Sequence, residues 1–292
     1  MHSENRMAMK STKLIKGEDL RRLQLMLLDC LMEVDRVCRA NNIRYCIAYG
    51  TLLGAIRHKG FIPWDDDLDV VMTREEYEKF ARVADQLNPS ICFFQDNDTE
   101  ASYPWGYGKI RCAGTRYIRV GQEHLKHRTG FMMDVFPMDD LPKSVLGQKL
   151  FYGICFVLRK MTYAQVGWVS ESSTLWRSWF KLLSFIPPRW VHSMSRVLQN
   201  RHNNSTPNRA HMMFIRPDGM GVSENRPEER YGWRKEWLTD LVEYEFEGHF
   251  FYGPKDYAAS LAWSYGPNFM TPPPITERQS NAPCSDYSFE NN

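Results

Sequence analysis

The 292-residue chain has no long apolar run. Its best candidate, residues 151–158, holds Gly153 and falls far short of the ~18 apolar residues of a membrane span. It lacks a dominant charge: 37 Lys and Arg against 35 Asp and Glu leave +2, so the whole-chain field selects no partner class. It also lacks a cysteine framework. Seven cysteines are an odd number, they are scattered from Cys30 to Cys284, and no two are spaced C-x-x-C. A disulfide scaffold and a zinc knuckle are therefore not expected, and a reducing compartment, the cytoplasm, is. The first twenty residues carry Lys10, Lys13, Lys16, Glu18 and Asp19 with no apolar core, so no secretory leader is expected. No internal repeat is visible. What is present is the composition of a folded protein, 43% hydrophobic and 25% charged, which excludes a disordered or collagen-like chain.

Periodicity gives an alternation of helices and strands. Leu20, Leu23, Leu27, Leu31, Val34 and Cys38 recur at three- and four-residue steps and predict a helix over 17–42. Residues 44–49 alternate as a buried strand, 52–58 read as a short helix, and 67–72 as a second strand. Thr73 with Glu76 three residues on forms a capping box for a helix over 73–87. A third strand is expected over 91–95, a hairpin from 107–111 and 115–120 around Ala113-Gly114, and another strand over 131–136 stopped by Pro137. The expected class is α/β with a mixed (α+β) sheet.

The composition then changes. Between Lys143 and Ala210 ten Lys and Arg face one acid, Glu171, so this segment carries +9 and the remainder −7. It holds Trp168, Trp176, Trp179 and Trp190, and Leu150, Ile154, Val157 or Leu158, and Met161 share one helical stripe. Two readings compete: helices lying on a membrane surface, or a helical subdomain packed on the sheet. A cap that also touches the inner face of the cell membrane is favoured. No nucleic-acid partner is expected, since no recognition motif accompanies the basic patch. Residues 203–208 read as a loop, 211–215 as strand-like and 257–265 as a short helix. The expected units are a catalytic core over 17–142, a helical insertion over 143–210, a completing part over 211–274, and loose tails over 1–16 and 275–292.

The chemistry concentrates in two short stretches. Asp67 and Asp69 lie two apart on an expected strand, so both carboxylates face one way and Leu68 and Val70 the other. Adjacent carboxylates repel unless a cation or proton sits between them; a hard divalent ion, Mg²⁺ or Mn²⁺, suits oxygen donors. Asp134 stands alone in the apolar run of residues 131–136, where an unpaired carboxylate is costly. If the two strands are neighbours, the three acids converge. Gly50-Thr51, between a strand and a helix, suits a phosphate: no side chain blocks approach, and N–H groups and a hydroxyl point at the ligand. A phosphate site beside a metal site implies phosphoryl or nucleotidyl transfer.

Residues 50–70, running from Gly50-Thr51-Leu52-Leu53-Gly54 to Trp64-Asp65-Asp66-Asp67-Leu68-Asp69-Val70, closely resemble the signature of the LicD family. The likeness extends to residues 74–80 and 134–139, and resumes at Phe246-Glu247-Gly248 and Tyr265-Gly266. The resemblance implies a nucleotidyltransferase-like fold with a helical insertion. It implies a transferase moving a phospho-alcohol from a CDP-alcohol (CDP-choline, CDP-ethanolamine, CDP-glycerol or CDP-ribitol) to a hydroxyl of a surface glycan or lipid-linked glycan, releasing CMP. Asp67, Asp69 and Asp134 would then hold the metal, Gly50 and Thr51 would contact the diphosphate, and any of the acids would serve as base. Arg57 and His58 become candidates for diphosphate oxygens, as does a basic side chain from Lys109 and Arg111, which share a strand face. Asp65 and Asp66 either shape the loop or join the metal shell, and Trp64 and Trp105 either stack on a base or choline or fill space. His124 and His127 leave a weak zinc alternative. Two rivals remain: a GT-A-like nucleotide-sugar glycosyltransferase, and a non-catalytic glycan- or lipid-binding protein.

Overall fold

The computed structural model describes residues 12–202, 209–213, 232–278 and 283–290. The first helix, α1 (Gly17–Ala40), forms where the periodicity places it and buries Leu23, Leu27, Leu31, Val34 and Cys38 against the sheet. Strand β1 (Cys46–Ile47) is only two residues long, because Tyr49 turns into left-handed backbone (φ +47°) and opens helix α2 (Tyr49–His58). Strand β2 (Asp69–Thr73) begins two residues later than expected, leaving residues 65–68 as irregular backbone. In helix α3 (Arg74–Val83) Thr73 Oγ1 accepts the Glu76 N–H at 3.4 Å, half of the expected capping box. The Glu76 carboxylate instead accepts the Arg44 backbone N–H at 3.1 Å.

Strands β3 (Cys92–Gln95), β4 (Gly108–Cys112) and β6 (Met132–Asp140) complete a mixed sheet in the order β1-β2-β6-β4-β3, with β2 and β6 parallel and the other pairs antiparallel. The α+β mixed-sheet expectation holds. Alternation assigns the faces: Val70, Met72, Met133 and Val135 enter the core under α1, while Val71, Phe136 and Met138 enter a second core on the opposite face. Both faces are therefore covered.

The expected hairpin does not form. Both edges of β4 are taken by β3 and β6, so β5 (Arg116–Arg119) finds its partner far away, in β11 (Cys284–Ser288). Lys13 also bridges Cys284. Neither tail is loose where described: residues 284–288 are sheet, and Ile15 is buried.

After β6 the chain makes a helical excursion: α4 (Val145–Ser170), α5 (Thr174–Leu183) and α6 (Pro188–His202). Ser144 caps α4 by accepting the Gly147 N–H at 3.0 Å. At Gly167 a Cβ would lie 2.7 Å from the Phe180 ring, so the missing side chain lets α5 lie close on α4. The excursion has its own small core of Phe151, Cys155, Leu158 and Val191. Strand β7 (Arg209–His211) then returns alongside the end of β6, pairing Ala210 with Asp140 and His211 with Asp139. Residues 203–208 and 214–215, read as loop and strand, lie outside the described residues. The chain closes with β8 (Trp233–Arg234), α7 (Glu236–Thr239), the hairpin of β9 (Leu241–Phe246) and β10 (His249–Pro254), and α8 (Tyr257–Tyr265). Among the described residues no helix is long and apolar enough to cross a membrane. All seven cysteines are buried and free of disulfides.

Candidate active site

The register of the sheet places the site. Asp69 of β2 lies opposite Asp134 of β6, and Asp134 lies opposite Lys109 of β4. All three share the face of Val71 and Phe136, at the end of the sheet where β2 begins. The start of α2 is stitched to that end. Thr51 Oγ1 accepts the Asp69 N–H at 2.8 Å, and the Ala48 N–H donates to Asp69 O at 3.1 Å. Gly50 is required by a close approach: a Cβ there would sit 2.7 Å from Asp65 Oδ2. The irregular residues 65–67 bring three carboxylates together, with one oxygen of each of Asp65, Asp66 and Asp67 within 4.8 Å of the others.

These acids are buried and repel one another. Burial first, then Asp67 and Asp66, pushes Asp65 up to about 8. Burial, Asp66 and Asp134 push Asp67 up to about 6. Asp69 is raised well above the usual carboxylate range by burial, Asp67 and Asp134. The phenols of Tyr49 and Tyr265 are raised by burial and by these same carboxylates, so both face the cluster. An oxygen-only donor set, buried and mutually repelling, fits a hard divalent cation and does not suit a soft one.

Beside the acids lies the opposite charge. A cavity of about 220 Å³ is lined by Lys109, Arg111 and Arg119 together with Trp105, Tyr107 and Tyr117. Lys109 Nζ pairs with Asp134 Oδ1; burial lowers its ammonium to about 8 against the pull of that carboxylate. Arg111 is pinned by Gln95 Oε1 at 2.8 Å and Gly130 O at 2.9 Å. Burial opposes the charge of Arg119, yet Asp134 and the Tyr117 and Tyr107 phenols hold its pKa above the ordinary value. Its Nε is buried with no hydrogen-bond partner among the described residues, a donor left over for a ligand. A second cavity of about 340 Å³ shares Trp105, Tyr107 and Tyr163 with the first and reaches Arg159 and Lys160 of α4. A further cavity, about 490 Å³, lies elsewhere, between α3, residues 96–98 and α6, and contains none of these acids.

Residues 42–149, which include every side chain of the acid cluster and of the three-cation cavity except Tyr163 and Tyr265, match the family described as LicD/FKTN/FKRP, nucleotidyltransferase domain. The chain carries a LicD-family domain. It is 26% identical over 278 residues, 89% of this chain and 94% of the relative, to the lipopolysaccharide cholinephosphotransferase LicD of Haemophilus influenzae. Shorter matches are to uncharacterised proteins of Rickettsia typhi, 42% identical over 63 residues, and of Rickettsia prowazekii, 46% identical over 52 residues. These cover 22% and 18% of this chain, and 20% of each relative.

Within the LicD domain the sequence candidates separate. Asp67, Asp69 and Asp134 do face one another, but the tight oxygen cluster is Asp65–Asp66–Asp67, and Asp134 is shared with Lys109. Asp66 is not turned away, because the strand starts only at Asp69. Thr51, read as a phosphate contact, is buried and its hydroxyl braces β2. Arg57 lies at the cluster's rim, within the field of Asp65 and Tyr265, with Nη1 donating to Phe269 O at 3.0 Å. His58 is not brought to the acids; its ring meets the edge of Trp64, which also carries the Arg278 guanidinium. Among the described residues no group of three metal-ligating side chains forms at His124 or His127; His124 bonds Gln165 O and His127 bonds Arg128 O. Sequence reasoning missed Arg119 and Tyr265. Nothing local signals Arg119, since its strand partner is more than 160 residues away; Tyr265 was legible only as part of the Tyr265-Gly266 likeness.

Proposed function

We propose that the chain is a LicD-type transferase that moves a phospho-alcohol, phosphocholine or a close analogue, from a CDP-alcohol to a hydroxyl of a surface glycan or glycolipid. The observation that carries this reading is the contact between two opposite charge environments: a crowded, buried acid cluster, and a cavity with three cationic side chains. Nothing in a bare structural core requires both in one place.

Asp65, Asp66, Asp67 and Asp69 would hold a divalent cation, Mg²⁺ or Mn²⁺, which when bound supplies charge neutralisation at the donor's phosphate oxygens. Lys109, Arg111 and Arg119 bind and orient the diphosphate, with Arg119 Nε aimed at an oxygen of the transferred group. Trp105, which lines the same cavity, is the candidate to meet a quaternary ammonium with its ring. The acceptor oxygen attacks the phosphorus bearing the alcohol, the bridging P–O bond breaks, CMP leaves, and a carboxylate of the cluster takes the acceptor's proton. Gly50 and Thr51 act from beneath, one by admitting Asp65 and the other by fixing Asp69.

The test is CMP release from a panel of CDP-choline, CDP-ethanolamine, CDP-glycerol and CDP-ribitol with a glycolipid acceptor extract. The expected result is release that needs the acceptor, is abolished by chelation and restored by Mg²⁺ or Mn²⁺. Turnover of UDP- or GDP-sugars instead would replace the reading with the GT-A-like one. Silence of the folded protein on both donor panels would leave a binding role.

A further inference from the structure

The helical excursion departs from the usual arrangement of a surface helix, which buries one apolar stripe and shows a polar face to water. Here each helix shows several large apolar side chains to solvent besides the residues it buries. On α4, Phe151, Cys155, Leu158 and Thr162 face inward, while Leu146, Leu150, Ile154 and Val157 point to solvent. Of the stripe that periodicity marks on this helix, Leu150, Ile154 and Val157 are exposed and Leu158 is buried. On α5, Phe180 is buried against α4, and Leu175, Trp176, Trp179 and Leu182 stand outside. On α6, Val191, His192 and Ser195 are buried, and Trp190, Met194 and Val197 are exposed. The exposures are large: 79% for Leu175, 75% for Phe185, 63% for Trp190 and 52% for Trp176.

Among the described residues most of the large apolar side chains that reach solvent lie between 145 and 197, a fifth of the chain. Apolar side chains scattered singly need no explanation, but stripes on three helices joined by packing mark an interaction surface. Charge says what kind. The exposed Lys149, Arg177, Lys181 and Arg189 accompany these stripes, and Glu171 is the lone acid from Lys143 to Ala210. Trp and Leu among Lys and Arg, with no helix able to span, is the make-up of helices that lie in the headgroup region of an anionic bilayer.

We infer that α4, α5 and α6 dock the protein on an anionic phospholipid surface. The inference extends the proposed function. The inner side of α4 contributes Arg159, Lys160, Thr162 and Tyr163 to the cavity that joins the three-cation cavity. The same helix thus offers one face to lipid and another to the path toward the acids, so a lipid-linked acceptor would meet the reactive site at the membrane surface.

The test uses the full-length protein and vesicles of phosphatidylglycerol or of phosphatidylcholine, read by co-sedimentation. The expected result is binding to the first, weak binding to the second, and release by salt. A combined Trp176→Gln, Trp179→Gln, Trp190→Gln variant should lose about tenfold in bound fraction with an unchanged melting temperature. Arg177→Glu with Lys181→Glu should lose about as much, through charge alone. Equal binding to both vesicle types, or none, would overturn the inference, as would a concentration-dependent dimer that the tryptophan variant abolishes without any vesicle binding. CMP release with a detergent-solubilised acceptor reads the transferase separately, so an active protein that ignores vesicles defeats only the docking surface. An inactive one that binds them defeats only the reaction.

Discussion

The sheet around β2 and β6 and the excursion from α4 to α6 break the same rule in opposite directions. In the sheet region charge is buried: Asp65, Asp69, Lys109 and Arg111 all lie in or beside the core. In the excursion grease is exposed: leucines, tryptophans and a phenylalanine stand in water on three helices. Each departure costs stability in the isolated protein, and each cost is relieved by a different companion. Crowded carboxylates call for a cation and clustered cations for phosphate; apolar stripes among lysines call for a lipid surface. The lesson is that a local violation of burial preference, with its sign, indicates the chemistry of the missing companion.

The sharpest way to break the comparison is to remove one acid. Asp67→Asn should lower CMP release by about 10³-fold or more, because charge neutralisation at the transferred group supplies several kcal/mol. In EDTA near pH 8 the same variant should melt about 2–4 °C higher than the wild type, since relief of repulsion outweighs the lost carboxylate. Magnesium should stabilise the wild type and not the variant. A variant that is both inactive and much less stable would show that Asp67 is a structural acid.

A smaller effect should follow at the cationic side. Arg119→Gln removes a charge while keeping a planar donor. It should raise the donor's KM and reduce kcat/KM by about 10–100-fold, with melting unchanged within about 2 °C. Unaltered kinetics would remove Arg119 from the site.

The smallest effect separates the two regions by pH. His211 of β7 is buried against Tyr152 of α4, and burial with Arg159 nearby lowers its pKa to about 3, from 6.5. Its folded pKa lies below the unfolded one, so the stability it contributes is present above pH 6.5. That stability falls away as the pH drops toward 3, by an amount on the order of 2–4 kcal/mol. His192 of α6, lowered to about 4 by burial and Arg196, acts in the same direction. Tryptophan fluorescence of the excursion should therefore report an acid transition that His211→Phe moves to lower pH.

Much of this was legible in the sequence wherever the signal is local. The α1 stripe, the Thr73 cap, the two-residue spacing of Asp67 and Asp69, and the lone Asp134 in an apolar strand all state their roles within a few residues. Pairing could not be read that way. The edges of β4 were already claimed by β3 and β6, which is a property of the assembled sheet, so the hairpin with β5 was a false expectation. Arg119 reaches the cavity only because β11 holds its strand. Helical periodicity fixes that Leu150, Ile154 and Val157 share a face, but the same spacing serves a face turned to core or to solvent. The family likeness spans residues 50–70; the structure adds that Gly50 and Asp65, toward the two ends of that stretch, approach closely.

The pairing of Arg119 with Cys284 also carries a consequence for how the protein is made. The acids, Lys109 and Arg111 all lie between residues 65 and 134 and come together from neighbouring stretches of the chain. The strand that clamps Arg119 emerges some 160 residues later. A nascent chain therefore acquires its acid cluster early and its full cationic cavity late. A chain cut before residue 284 would keep the strand pairs that hold the acids and lose the one that holds Arg119.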